Sequence, residues 1–209
     1  MTEFTDLVDG YHRFHSADWR RQRERWEKLK VGQEPKVMVI ACSDSRVDPA
    51  QIFDTLPGEI FVVRNVANLV PPCETGGGHH GVSAALEFAV TQLKVSEIVV
   101  LGHGKCGGCK AALTQAFADA APGEGGFVSD WVHLLDGARD KVAAKYGTGP
   151  DAERAMELES VRASIANLRT FPFVTKAEAD GQLTIHGAYF AIADGQLHTL
   201  GDDGEFAPA

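Results

Sequence analysis

The chain alternates short apolar runs, rich in β-branched residues, with longer stretches in which apolar positions recur every three or four residues. The short runs are typical of buried strands in a parallel sheet, and the longer stretches are typical of helices packed against it. Strands are predicted at residues 37–42, 59–64 and 97–101. Two further runs, 183–191 and 197–200, flank Asp194-Gly195, a pair that favours a hairpin turn.

Helices are predicted at residues 11–30, 48–56, 79–94, 109–120, 127–146 and 151–170. Strands that alternate with helices predict an α/β fold class, with a mainly parallel central sheet flanked by helices and a C-terminal hairpin. We expect an N-terminal helical arm at 1–34 and a single α/β domain at 35–209. Trp19 and Trp26 share a face of the arm, and this face needs cover from the parent domain or from another subunit.

Composition narrows the class of protein. The 209 residues include 20 Lys+Arg and 29 Asp+Glu, a formal net charge of −9, which argues against nucleic acid or an anionic membrane as a partner. No apolar run approaches the roughly 20 residues that a membrane helix needs, and the first residues lack the pattern of a signal peptide. We therefore expect a cytoplasmic protein. In that reducing compartment, four cysteines indicate metal binding or catalysis rather than disulfides.

Three residues that bind metals follow two of the predicted strands. Cys42 ends the first strand, and His103 and Cys106 follow the strand at 97–101. Because the carboxyl ends of neighbouring parallel strands meet at one edge of the sheet, the three side chains converge if these strands are neighbours. Two thiolates and one imidazole around one point predict a zinc site whose fourth position is still to be filled.

Asp44 and Arg46 lie in the loop after Cys42, where two arrangements are open. If Asp44 binds the metal, the site is closed and no water can be activated. If Arg46 holds Asp44 aside, a water takes the fourth position and Asp44 can accept a hydrogen bond from it. Two thiolates cancel the charge of the ion, so an enzyme with this site would work best on the alkaline side of neutrality.

Cys109 makes a Cys-x-x-Cys motif with Cys106, which serves both redox dithiols and zinc sites. A redox protein would use these two thiols but would leave Cys42 and His103 unexplained. A zinc-stabilised binding module with a purely structural metal would close the site with a fourth protein ligand, such as Cys109. Both alternatives stay open beside an enzyme.

The motifs together resemble the β class of carbonic anhydrases. The matching segments are Ala41-Cys42-Ser43-Asp44-Ser45-Arg46-Val47, residues 57–68, Gly102-His103 with Cys106-Gly107-Gly108, and Ile185-His186-Gly187-Ala188-Tyr189-Phe190. The resemblance implies a zinc lyase, a carbonate dehydratase, with one Zn²⁺ held by Cys42, His103 and Cys106. It implies an Asp44–Arg46 dyad and the reversible hydration of CO₂ to bicarbonate and a proton by attack of zinc-bound hydroxide.

The resemblance also implies a substrate pocket that two subunits share. Phe61 and Val66 would form its apolar wall beside Gly107, and Gln33 would reach across a homodimer, or a dimer of dimers, to the substrate. The arm at 1–34 would then serve dimerisation by wrapping the other subunit and covering its tryptophans.

Three positions depart from patterns found in the family: Gly104 replaces a frequent serine, Phe88 replaces a tyrosine, and Val39 replaces a tryptophan that one subgroup uses in an inhibitory bicarbonate pocket. We therefore expect the plant-like, open site, with Asp44 on the metal only in a closed state. The same scaffold is similar to that of hydrolases of CS₂ and COS, so hydrolysis of these compounds remains an alternative activity.

Overall fold

The computed structural model describes residues 2–76 and 78–209, and the chain divides into two units, one ending at Glu34 and one spanning Pro35–Ala209. The first unit contains helices α1 (Phe4–Ser16), α2 (Asp18–Arg21) and α3 (Arg23–Leu29). The prediction of one helix at 11–30 is therefore wrong in its start and its continuity.

Local hydrogen bonds and one ring contact account for this difference. A capping box starts α1 early, because the backbone N–H of Glu3 donates to Asp6 Oδ2 at 2.8 Å. The backbone is distorted from regular helical dihedral angles at Ala17, with φ −114° and ψ −74°, and leaves the helical region at Gln22. The chain bends there, and the Phe14 ring meets the Trp26 ring edge-on with centroids 6.0 Å apart.

The second unit is built on a six-stranded sheet in the order β2-β1-β3-β4-β5-β6. Its strands are β1 (Val37–Cys42), β2 (Ile60–Asn65), β3 (Glu97–His103), β4 (Thr184–Ala191), β5 (Gln196–Leu200) and β6 (Phe206–Pro208). The first four strands are mutually parallel, and β5 and β6 are added antiparallel. The α/β class, the mainly parallel sheet and the terminal hairpin are thus confirmed, whereas β6 was not predicted.

The helices of this unit are α4 (Pro49–Ile52), α5 (Gly81–Glu87), α6 (Gly107–Thr114), α7 (Gly126–Val132), α8 (Asp136–Tyr146), α9 (Pro150–Leu168) and α10 (Pro172–Ala179). The helix predicted at 79–94 starts later, and its second half, Phe88–Leu93, is π-helical. The helix predicted at 127–146 is broken by a 3₁₀ turn at His133–Leu135. No helix of the described residues is long and apolar enough to cross a membrane.

Helix α9 packs directly on the strands that carry the candidate site. Val161 and Ile165 of α9 join the same buried cluster as Ile98 and Val100 of β3. The approach is close at Gly102, where a Cβ atom would lie 2.6 Å from Val161 Cγ2. Glycine is therefore needed at the end of β3 for α9 to lie against the sheet.

Gly102→Ala should destabilise the protein by about 1–3 kcal/mol, because the added methyl overpacks this contact. Urea unfolding followed by circular dichroism measures the change. Gly137→Ala is the matched control, since its Cβ would meet nothing within 4 Å inside α8; it should stabilise by up to about 1 kcal/mol. An unchanged midpoint for Gly102→Ala would contradict the close packing of α9 on β3.

Candidate metal centre

Cys42, His103 and Cys106 meet at the carboxyl edge of the sheet. Strands β1 and β3 are parallel neighbours with Ala41 opposite Leu101, so Cys42 at the end of β1 faces the end of β3, where His103 lies. Cys106 follows as the N-cap of α6. The possible ligand atoms of the three residues all lie within 4.8 Å of one another, and the two Sγ atoms are 3.9 Å apart.

The imidazole of His103 is oriented for metal binding. Its Nδ1 lies 2.9 Å from the carbonyl oxygen of Gly104, to which an Nδ1–H donates. The side chain is 1% exposed, yet its Nε2 has no hydrogen-bond partner. A buried nitrogen lone pair beside two sulfur atoms fits a metal ion, and the Nδ1–H bond fixes the tautomer that a ligand needs.

The two thiols resist ionisation unless a cation lies between them. The pKa of Cys42 is raised to about 12, first by its contact with the Cys106 thiol and then by burial. The pKa of Cys106 is also raised to about 12, chiefly by its contact with the Cys109 thiol. A divalent cation reverses this preference because it binds thiolates. Two sulfur donors and one imidazole nitrogen are typical of zinc.

Asp44 is held by Arg46 in a bidentate ion pair. Arg46 Nε donates to Oδ1 at 2.9 Å and Nη2 donates to Oδ2 at 2.7 Å, while the backbone N–H of Arg46 donates to Oδ1 at 3.0 Å. These bonds from Arg46 hold the pKa of Asp44 well below its usual range. Arg46 Nη2 also donates to the carbonyl oxygen of Lys105 at 3.0 Å, which ties the two loops of the site together.

Arg64 is a structural member of the site that the sequence reasoning did not single out. From β2 it donates to the carbonyl oxygens of Cys42 at 2.9 Å and Asp44 at 2.7 Å, and it pairs with Asp48 at 2.9 Å. These bonds fix the loop that carries Asp44 and Arg46. The available signal was a lone arginine within an otherwise apolar strand, where a charged side chain needs partners.

The four residues expected to contact substrate fall into two groups. Val66 begins a 3₁₀ turn after β2 and lies against the start of α6, since a Cβ on Gly108 would be 2.6 Å from Val66 Cγ1. A Cβ on Gly107 would meet nothing within 4 Å, so the backbone there is open. Gly107 directly follows Cys106, and Val66 contacts the residue after that, Gly108.

Phe61 is not brought to this group. Phe61 pairs in register with Met38, four residues before Cys42, so it lies about 13 Å along the sheet from the level of Cys42. Its ring instead contacts Phe88, with centroids 6.0 Å apart. Gln33 is an exposed residue of the first unit.

The structure gives a physical reason for glycine at position 104. A Cβ there would lie 3.1 Å from the hydroxyl oxygen of Tyr189, so the tyrosine occupies the space that a serine side chain would take. Cys109 is buried in the first turn of α6. Within the described residues it does not belong to the group that could hold a metal ion.

Comparisons of the sequence and of the fold with known proteins all find carbonic anhydrases. The sequence pattern of the family described as carbonic anhydrase matches residues 37–197. A carbonic anhydrase from Pseudomonas aeruginosa is 38% identical over 196 residues, which are 93% of this chain and 86% of that protein. The β-carbonic anhydrase CcaA superposes with a TM-score of 0.91 at 29% identity, covering 100% of both chains. A tetrameric β-carbonic anhydrase from Sordaria macrospora gives a TM-score of 0.79 at 29% identity, covering 95% and 96%.

Zinc affinity should rise steeply with pH. Because both thiols have pKa values raised to about 12, each bound zinc displaces at least two protons between about pH 6 and 8, and the apparent Kd should fall by about two decades or more per pH unit. Competition with a chromophoric chelator measures this slope. Cys42→Ala should reduce the slope by about one, and Cys73→Ala should leave it unchanged. A slope near zero for the unsubstituted protein would contradict a two-thiol site.

Proposed function

The chain belongs to the β class of the carbonic anhydrase family, and from this premise we propose that it catalyses the reversible hydration of CO₂ to bicarbonate and a proton. The observation that carries this proposal is the buried group of Cys42, His103 and Cys106, whose imidazole Nε2 is unpartnered. These residues would hold one zinc ion. Zinc supplies the Lewis acidity that makes water a nucleophile near neutral pH.

Asp44 would orient the attacking water and accept its hydrogen bond. A carboxylate offers about four acceptor sites, and Arg46 takes three of them, two on Oδ1 and one on Oδ2. Oδ2 therefore keeps an acceptor site for a water proton. Because Arg46 holds the carboxylate on both oxygens, we infer an open site in which Asp44 stays off the metal near neutral pH. Val39, in place of tryptophan, agrees with a site that lacks the bicarbonate switch.

CO₂ is small and uncharged, so its pocket needs apolar walls and room beside the metal. Val66 supplies an apolar side chain, and the bare backbone of Gly107 supplies room. Phe61 lies too far along β2 to contact substrate in its own subunit. We therefore assign the partner's Phe61, together with the partner's Gln33, to each pocket.

This arrangement requires self-association, as a homodimer or a dimer of dimers. The tetrameric relatives from Sordaria macrospora support it. The arm supports it independently, because Phe4, Leu7 and Tyr11 are 78%, 61% and 56% exposed and recur at helical spacing on α1. Such an apolar stripe is typical of a docking face. The free cysteines are typical of proteins in a reducing compartment and support a cytoplasmic location.

The zinc-loaded protein should hydrate CO₂ rapidly in stopped-flow assays, with a rate that rises smoothly from about pH 6.5 to 9. The reason is that a water held by zinc beside two thiolates would lose its proton over this range. A steep onset only above about pH 8 would contradict the open site, because it would mean that Asp44 binds the metal below that pH. CS₂ serves as the comparison substrate. Turnover of CS₂ without turnover of CO₂ would replace this proposal with the hydrolase alternative. Turnover of neither substrate would favour a site in which the metal is purely structural.

A heterodimer of a Gln33→Ala subunit and a Cys42→Ala subunit should regain activity that neither homodimer has. One of its two sites combines an intact metal group with the intact partner glutamine, so about half of the wild-type activity is expected for a symmetric dimer. Co-expression with two different tags allows its purification.

The matched control pairs Cys42→Ala with Arg46→Ala, two defects of a subunit's own site, and should regain nothing. If the Gln33→Ala pair also stays inactive while each homodimer remains folded, Gln33 does not act across the dimer.

A further inference from the structure

A buried carboxylate lies directly behind the metal-binding group. Glu157 of α9 is 4% exposed, and its Oε1 accepts a hydrogen bond from the backbone N–H of Cys106 at 3.3 Å. Its Oε2 accepts from the hydroxyl of Tyr189 on β4 at 2.9 Å. Buried glutamates are rare unless they are paired, and nothing in the proposed reaction yet uses this one.

Tyr189 fixes the direction of the Glu157 side chain. Burial, and then the negative charge of Glu157, raise the pKa of Tyr189, so the phenol keeps its proton and donates it in the hydrogen bond. The guanidinium of Arg154 lies over the tyrosine ring, 5.1 Å from its centre. The absence of a side chain on Gly104 leaves room for the hydroxyl. Glu157 is therefore held from α9 and β4 together.

The loop that Glu157 contacts needs such an anchor. It joins His103 to Cys106, and Lys105 within it has a φ of 58°, in the left-handed region that costs a non-glycine residue about 1 kcal/mol or more. The N–H of Gly104 bonds the carbonyl oxygen of Phe190 at 2.9 Å and secures the start of the loop. Glu157 secures its end, at the residue that carries the sulfur ligand.

We propose that Glu157 is a positioning residue for the metal ligand Cys106: through the backbone N–H it sets where the sulfur lies relative to Cys42 and His103, and Tyr189 positions Glu157 in turn. The inference rests on the proposed zinc site but not on the substrate. Partners of metal ligands typically change metal affinity by about 10–100-fold when they are removed.

Cobalt binding tests this role without reference to activity. Co²⁺ is titrated into the metal-free full-length protein, and the thiolate-to-cobalt charge-transfer bands are recorded. The Kd for zinc is then obtained by competition with a chromophoric chelator. Glu157→Ala should weaken zinc binding by about 10–100-fold and shift the cobalt bands. Glu157→Gln keeps one oxygen that can accept from the N–H of Cys106, so it should recover most of the affinity. Tyr189→Phe should weaken binding in the same direction by less than Glu157→Ala.

Ser164→Ala is the matched control for loss of a buried polar group on the same helix. Ser164 Oγ bonds the backbone of Val70 and Asn68, away from Cys106, so the variant should lose stability but keep the cobalt spectrum and zinc Kd. If Glu157→Ala and Ser164→Ala lower the unfolding midpoint alike and neither changes metal binding, Glu157 is merely structural. If the unsubstituted protein binds neither metal, the proposed metal site fails and this inference fails with it. Wild-type binding with an unaltered Kd in Glu157→Ala overturns this inference alone.

Discussion

The parallel pairing of β1 with β3 is the constraint on which the rest of the site depends. In a parallel pair the carboxyl ends of both strands lie at the same edge of the sheet, and the register places Cys42 beside the last residues of β3. Two candidate ligands from distant parts of the sequence are thereby set on strands whose residues next to the site are buried. Only Cys106 has to be supplied by a loop, and it lies just three residues after His103. The sheet therefore fixes most of the metal group before any ion is bound.

At this edge of the sheet, charged side chains form hydrogen bonds with the backbone of the loops that lie beyond the strands. Arg64 bonds the carbonyl oxygens of the loop after β1, and Arg46 bonds both Asp44 and the loop after β3. Glu157 of α9 adds a third contact, at the backbone N–H of Cys106. Hydrogen bonds that involve a charged group are stronger than neutral ones and gain further in a low-dielectric surrounding. These bonds allow the loops to be short and polar and still have a fixed conformation.

The central strands were predictable because burial on both faces leaves an unbroken apolar run, a signal contained in the strand itself. Helix boundaries were less predictable, since they depend on single backbone conformations. Ala17 and Gln22 break the arm, and Cys106 takes an extended N-cap conformation that starts α6 at Gly107, two residues before the predicted start. Strand β6 has three residues and helix α10 has eight, so each is too short for its own pattern of apolar residues to be informative.

By itself the sequence determined the chemistry of the candidate site. The residue types after two apolar runs specify soft and imidazole donors at strand ends, because strand polarity and ligand spacing are local properties of the chain. Tertiary structure decided which state those groups adopt and what supports them. Only the folded chain places both oxygens of Asp44 on Arg46, leaves the Nε2 of His103 unpartnered, and brings Glu157 from α9 to the backbone of Cys106. The Glu157 contact joins separate elements and depends on how α9 packs against the sheet. The geometry at Asp44 depends on how Arg46 and Arg64 hold the loop after β1.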